Sequence, residues 1–91
     1  MVVVNAFKTE DEAIRLANDT EYGLSAAVFT QDINRALRVS KRIHAGGVQI
    51  NSVIKINDSM PFGGMKKSSI GRELGKYVYR HYTEPKAIYI K

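Results

Sequence analysis

Residues capable of chemistry concentrate between Pro61 and Gly75, a stretch that reads PFGGMKKSSIGRELG. Its glycines, its basic pair Lys66–Lys67 and its Arg72–Glu73 follow neither the helical nor the strand period. Glycine lets another backbone or a ligand approach closely, so Gly63–Gly64 predicts a tight loop that fixes the direction of the Phe62 ring. An ordinary turn is the alternative interpretation.

Spacing argues against several other kinds of site. Gly64–Ser68 superficially suggests a phosphate-binding loop, but that motif requires a glycine directly before its lysine. His44 and His81 are the only histidines and lack the spacing of paired metal ligands, so helix-end positions are expected for both. The chain has no cysteine, which excludes a disulfide and a thiolate site, and no serine has an identifiable general base.

Further motifs surround this stretch in a fixed order. They are Phe7-Lys8-Thr9, Glu12-Ala13-Ile14, Ala17-Asn18, Tyr22-Gly23-Leu24-Ser25-Ala26, Gly46-Gly47-Val48-Gln49-Ile50-Asn51 and Tyr82-Thr83-Glu84-Pro85-Lys86. Together with PFGGMKKSSIGRELG they resemble the C-terminal end of the aldehyde dehydrogenase superfamily over essentially the whole chain. One departure is Ser69, where the family usually has glycine. If that backbone has a positive φ, Ser69 carries strain of about 1 kcal/mol or more.

The resemblance implies roles for individual residues. Phe62 would line the substrate channel at the nicotinamide end, with Leu24 nearby. The segment Ser52–Asp58 would form one wall of the channel mouth, where Lys55 and Ile56 lie. A lysine at that mouth favours an acidic or polar aldehyde.

Structural roles are implied as well. Gly63 and Gly64 would shape the loop, and Arg72 would pair with Glu84 near a subunit interface. Residues 1–82 would be the C-terminal part of a catalytic domain, and residues 83–91 an oligomerisation strand. The expected partners are therefore the rest of an aldehyde dehydrogenase chain or a homo-oligomer joined through that strand.

The resemblance also implies an activity. In family members a cysteine thiolate attacks the aldehyde, hydride passes to NAD or NADP, and a glutamate activates water to release the acid. All these groups lie outside this chain, so we predict a C-terminal fragment of an NAD(P)-dependent aldehyde dehydrogenase that neither binds cofactor nor turns over alone. A free-standing protein-interaction module is the alternative, followed by a small basic nucleic-acid binder.

An α/β fold follows from the hydrophobic pattern. Apolar runs at Val2–Phe7, Leu24–Thr30 and Val48–Ile50 predict buried strands. Between them, a Thr9–Glu12 capping box predicts a helix over about Glu10–Asn18. Two βαβ units require parallel strands. A second helix is predicted from a cap at Thr30 or Asp32 to about His44, and Gly46–Gly47 would close it. The inward positions of the two helices would be Ala13, Leu16, Ala17, Ile33, Leu37, Ser40 and Ile43.

The second half of the chain has a weaker pattern. Asn51–Ser68 has no period, which predicts a long loop. A short helix within Gly71–His81 and a final strand over Ala87–Lys91 follow. Three tyrosines near that helix are expected to be core or interface residues: Tyr77, Tyr79 and Tyr82.

Length and composition further limit the class of protein. With 91 residues, 44% of them hydrophobic and 25% charged, the chain is one small domain at most. No apolar run approaches a membrane span and no signal peptide is visible, so we expect a cytoplasmic protein, or an organellar one with a targeting segment elsewhere. The net charge is +5. Four basic residues form a stripe along the second predicted helix: Arg35, Arg38, Lys41 and Arg42. A solvated helix face is favoured over nucleic-acid binding as the interpretation of this stripe.

Overall fold

Three α-helices, one 3₁₀ helix and two two-stranded sheets make up the regular structure of the protein. The computed structural model describes residues 1–91. Its elements are α1 (Glu10–Asn18), β1 (Tyr22–Gly23), β2 (Ser25–Val28), α2 (Ile33–Arg42), β3 (Gly47–Ile50), β4 (Met65–Lys66), a 3₁₀ helix (Gly75–Val78) and α3 (Tyr79–Tyr82). None of the helices is long and apolar enough to cross a membrane.

A parallel pair, β2 and β3, lies at the centre and is connected by α2. Ser25 lies opposite Gly47, and the register continues to Val28 opposite Ile50. The Asn51 amide extends the ladder by donating to the Val28 carbonyl at 2.8 Å. The predicted α/β class with parallel strands is confirmed.

Helix α1 begins and ends where the sequence predicts. The Thr9 hydroxyl accepts a hydrogen bond from the Glu12 amide at 3.1 Å. The Glu12 carboxylate accepts from the Lys8 amide at 2.9 Å, one residue before the amide that a standard capping box would use. The Glu12 amide of the first turn and the Lys8 amide just before the cap are therefore both satisfied locally.

Helix α2 is capped by Asp32 and not by Thr30. The Asp32 carboxylate accepts from the amides of Asn34 and Arg35 at 2.9 and 3.1 Å. The helix ends at Arg42, before the predicted His44, because Ile43 already has an extended backbone. The prediction that Gly46–Gly47 closes the helix is therefore wrong.

The predicted inward faces need correction. The most buried side chains are Ala36, 1% exposed, and Ile14, 5% exposed, whereas Leu37 is 48% and Ile33 is 63% exposed. Ala17 is exposed too. A two-stranded sheet offers a narrow surface, so α2 approaches it through a small alanine and its larger side chains remain outside.

Charged side chains join the two helices. Glu10 accepts two hydrogen bonds from the Arg38 guanidinium at 2.7 Å each, and Asp11 pairs with Arg42 at 2.7 Å. The hydrogen bonds from Arg38 lower the pKa of Glu10, and the same contact raises the pKa of Arg38. Most of the basic stripe therefore faces acidic residues of α1, with Arg35 3.6 Å from Glu10 as well.

The two terminal segments do not form the predicted strands. Val2–Phe7 and Ala87–Lys91 are exposed and belong to neither sheet. A strand needs a neighbour for its amides and carbonyls, and no partner for these segments exists within the chain. The radius of gyration is accordingly 17.3 Å, against about 12 Å for a compact domain of this length.

The hydrophobic core of the chain is also small. Only six of 91 residues are buried. A cavity of about 530 Å³ lies beneath α1 and α2, lined by Phe7, Ile14, Val28, Val39 and Ile43 among others. The three tyrosines are not core residues, since Tyr77 is 38%, Tyr79 is 67% and Tyr82 is 80% exposed. The alternative, a role at an interface, stays a prediction.

Candidate functional site

Leu24 and Phe62, distant in the sequence, line one cavity of about 290 Å³. Leu24 lies between β1 and β2, and Phe62 precedes β4. The two sheets meet at Leu24, because the chain passes there directly from β1, which pairs antiparallel with β4, into β2, which pairs with β3. The irregular Asn51–Ser68 stretch thus contains a strand that the sequence pattern did not indicate. The remaining lining residues are Gly63, Ser68, Ser69, Gly71, Arg72, Glu73 and His81.

The backbone holds Phe62 from both sides. Phe62 and Glu73 exchange two amide-to-carbonyl hydrogen bonds of 2.7 Å each, forming an antiparallel bridge. Gly63 and Gly64, directly after Phe62, are buried. A side chain on Gly63 would overlap the Gly71 carbonyl, and a Cβ on Gly64 would lie 2.5 Å from that of Ser68. The loop therefore requires glycine for close approach, since neither residue has a positive φ.

Arg72 stabilises the same loop but makes no ion pair with Glu84. Its guanidinium donates to the carbonyls of Gly64 at 2.7 Å and Gly71 at 2.8 Å. Glu84 is exposed and forms no salt bridge. The predicted Arg72–Glu84 pair is absent because the half-buried guanidinium is oriented towards loop carbonyls.

The basic pair anchors the loop to the end of α1, a role that the sequence reasoning missed. Lys66 Nζ donates to the carbonyls of Asn18 and Thr20 at 2.8 Å each, and Lys66 itself has a φ of 54°. A cation near the last carbonyls of a helix is favourable. Lys67 pairs with Glu21 at 2.5 Å. The sequence signal for this role was the position of the two lysines one residue after the Gly63–Gly64 pair.

Neighbouring hydroxyls strengthen this attachment. Ser68 Oγ accepts from the Gly23 amide at 2.9 Å. Ser69 Oγ accepts from the Gly71 amide at 3.2 Å, and Ser69 does not have a positive φ. The strain expected for serine at this position therefore does not arise.

The channel-mouth role of Lys55 and Ile56 stays a prediction. Lys55 and Ile56 are exposed and do not line the Leu24–Phe62 cavity. Their loop begins at Asn51, which has a φ of 54°. The Asn51 side chain accepts from the Thr30 amide and donates to the Thr30 carbonyl at 2.9 Å each, so it joins the exits of the two parallel strands.

The turn between β2 and α2 does not fit a dinucleotide pyrophosphate. In dinucleotide-binding folds the turn between strand and helix is rich in glycine and leaves helix amides free for phosphate. Here the β2–α2 turn is Phe29-Thr30-Gln31-Asp32, and the Asp32 carboxylate already accepts from the first helix amides. No group of three or more potential metal ligands is present either.

Comparison with known proteins identifies the class of protein. Residues 1–88 match the model of the aldehyde dehydrogenase family. The chain is 46% identical over 91 residues to an aldehyde dehydrogenase of Emericella nidulans, covering all of this chain and 18% of that one. It is 51% identical over 85 residues to retinal dehydrogenase 2 of Homo sapiens, covering 93% of this chain and 16% of that one.

Solved structures agree with the sequence relatives. The apo form of an indole-3-acetaldehyde dehydrogenase superposes with a TM-score of 0.87 at 41% identity, over 93% of this chain and 20% of that one. A betaine aldehyde dehydrogenase from Staphylococcus aureus, solved with NAD+, gives 0.81 at 50% identity, over 84% of this chain and 15% of that one. The chain belongs to the aldehyde dehydrogenase family. It spans about a fifth of the length of these relatives and matches their C-terminal end.

Proposed function

We propose that this chain is the C-terminal portion of an NAD(P)-dependent aldehyde dehydrogenase, which oxidises an aldehyde to a carboxylic acid. Its part is to supply one wall of the substrate channel and contacts between subunits. The observation that carries the proposal is the common cavity of Leu24 and Phe62. An aromatic ring fixed by a backbone bridge and two buried glycines is suited to orienting a substrate.

The chemistry itself must come from other parts of the enzyme. The chain has no cysteine to add to an aldehyde, and the N-termini of α1 and α2 are occupied by the chain's own side chains. Contacts between subunits would use the exposed segment 83–91, which includes Ile88, Tyr89 and Ile90. An unpaired extended segment of this kind adds readily to the edge of another sheet.

We expect no aldehyde oxidation by the 91-residue chain alone, and activity when it is joined to the missing part. The test is a fusion in which the chain replaces the matching C-terminal residues of the Emericella nidulans enzyme, to which it is 46% identical. Reduction of NAD or NADP by each protein is followed with a panel of aldehydes. Turnover by the purified chain, or a folded fusion that binds cofactor but oxidises no aldehyde, would contradict the proposal.

Phe62→Ala in this fusion should lower kcat/KM for the aldehyde by about tenfold or more, because a substrate misplaced by about 1 Å loses much of its reactivity. Phe7→Ala is the matched control, since Phe7 is 60% exposed and lies outside the cavity. Steady-state kinetics and thermal melting are measured for both variants. A Phe62→Ala enzyme with parental kinetics and a lower melting temperature would show that Phe62 is a packing residue.

A further inference from the structure

His81, on α3, is the link between that helix and the loop that carries Phe62. Its Nε2 accepts a hydrogen bond from the Arg72 amide at 3.2 Å, which requires that nitrogen to be unprotonated. The ring also covers Gly71, where an added Cβ would lie 2.8 Å from His81 Cε1. No other side chain of α3 hydrogen-bonds to residues 61–75, so one imidazole makes the whole side-chain hydrogen bonding of the helix to the loop.

The hydrogen bond between the Arg72 amide and His81 lies one residue away from the Phe62–Glu73 backbone bridge. Arg72 precedes Glu73, and Glu73 exchanges both backbone hydrogen bonds with Phe62. The amide of Arg72 and its guanidinium are therefore held by different partners, His81 on one side and the Gly64 and Gly71 carbonyls on the other. Losing His81 frees the backbone amide while leaving the guanidinium contacts in place.

We propose that His81 is a positioning residue for Phe62, acting as a neutral hydrogen-bond acceptor that fixes the backbone segment paired with Phe62. The inference rests on the proposed function, because the aldehyde is what Phe62 would orient. His81 lines the same cavity as Phe62 and Leu24, so a shift of the Arg72–Glu73 backbone changes the shape of that cavity directly. The residue contributes through Phe62 and takes no part in the chemical step.

The test compares three variants of the fusion enzyme. His81→Leu removes the acceptor at similar size, and His81→Gln restores an acceptor on a side chain of similar reach. His44→Leu is the matched control, because the His44 imidazole makes no hydrogen bond and lies outside this cavity. Hydrogen exchange of the peptide 62–75, KM, kcat and the melting temperature are measured for each.

We expect His81→Leu to speed exchange of peptide 62–75 and to raise KM for the aldehyde by about fivefold, the equivalent of one hydrogen bond of about 1 kcal/mol, with kcat nearly unchanged. His81→Gln should recover most of both effects, and His44→Leu should show neither. Faster exchange without a change in KM would reduce His81 to a structural contact and overturn the inference. So would a His81→Gln enzyme that behaves like His81→Leu.

Failure of the proposed function gives a different result. A folded parent fusion that oxidises no aldehyde overturns that function, and the positioning of a substrate falls with it. The exchange of peptide 62–75 still decides whether His81 holds the Phe62 loop, since that measurement needs no turnover. The two proposals can therefore fail separately.

Discussion

Gly46→Ala should destabilise the folded chain by about 3 kcal/mol, at the upper end of the range for overpacking, whereas Gly47→Ala should keep its stability or raise it by up to about 1 kcal/mol. A Cβ on Gly46 would overlap the carbonyl group of Gly63. Backbone atoms cannot move aside as a flexible side chain can. On its other side Gly46 is fixed by its amide, which donates to the Gly23 carbonyl at 3.0 Å.

Gly47 is the matched control because it is adjacent and differs only in its surroundings. A Cβ there would meet only the Gln49 side-chain nitrogen at 3.4 Å, an ordinary contact distance. Gly47 also lies in β3, where alanine is favoured over glycine by roughly 0.5–1 kcal/mol through the entropy of the unfolded chain. The pair therefore separates a steric requirement from a general preference.

Urea unfolding followed by far-UV circular dichroism, at low micromolar concentration, measures both variants. With so few buried residues the parent is only marginally stable, so the expected loss would leave Gly46→Ala largely unfolded without denaturant. Equal stability of the two variants would mean that the contact between the Gly46 turn and the Phe62 loop is not formed in solution. The cavity shared by Leu24 and Phe62 depends on that contact.

The second expected result is concentration-dependent association of the 91-residue chain, weakened by deletion of residues 85–91. The chain measures 66 × 27 × 23 Å, and its long dimension reflects the extended terminal segments. Ile88 is 75%, Tyr89 is 93% and Ile90 is 92% exposed. Contiguous exposed apolar surface on an unpaired segment favours pairing with another chain.

Sedimentation velocity over a range of concentrations measures the association. Ile88→Lys with Ile90→Lys is the control for chain length, because it keeps the tail but adds charge to its apolar positions. We expect this double variant to weaken association about as much as the deletion does. A compact monomer at high concentration, unchanged by either alteration, would contradict the role proposed for the tail.

Local signals in the sequence were sufficient for α1, for the start of α2 and for the family. The Thr9–Glu12 pair placed α1 at Glu10–Asn18, and an aspartate or threonine before Ile33 placed the start of α2. These signals work because a cap satisfies amides only a few residues away. The order of short motifs around PFGGMKKSSIGRELG identified the family without any tertiary information.

Strand formation could not be predicted in the same way. Val2–Phe7 and Ala87–Lys91 have the composition of strands, yet they lie in neither sheet. Met65–Lys66 has no strand pattern, yet it pairs with Tyr22–Gly23. A strand depends on hydrogen bonds to a distant segment, so composition describes only one of the two partners.

The sequence alone therefore determined the family, the two capped helices and the need for glycine beside Phe62. The tertiary structure decided which side chains meet: it placed Leu24 with Phe62, oriented Arg72 to loop carbonyls in place of Glu84, and brought the His81 ring to the Arg72 amide. It also buried Ala36 in preference to Leu37. The physical reason is range, because caps and glycine turns act within a few residues, whereas these contacts form only after the chain has folded back on itself.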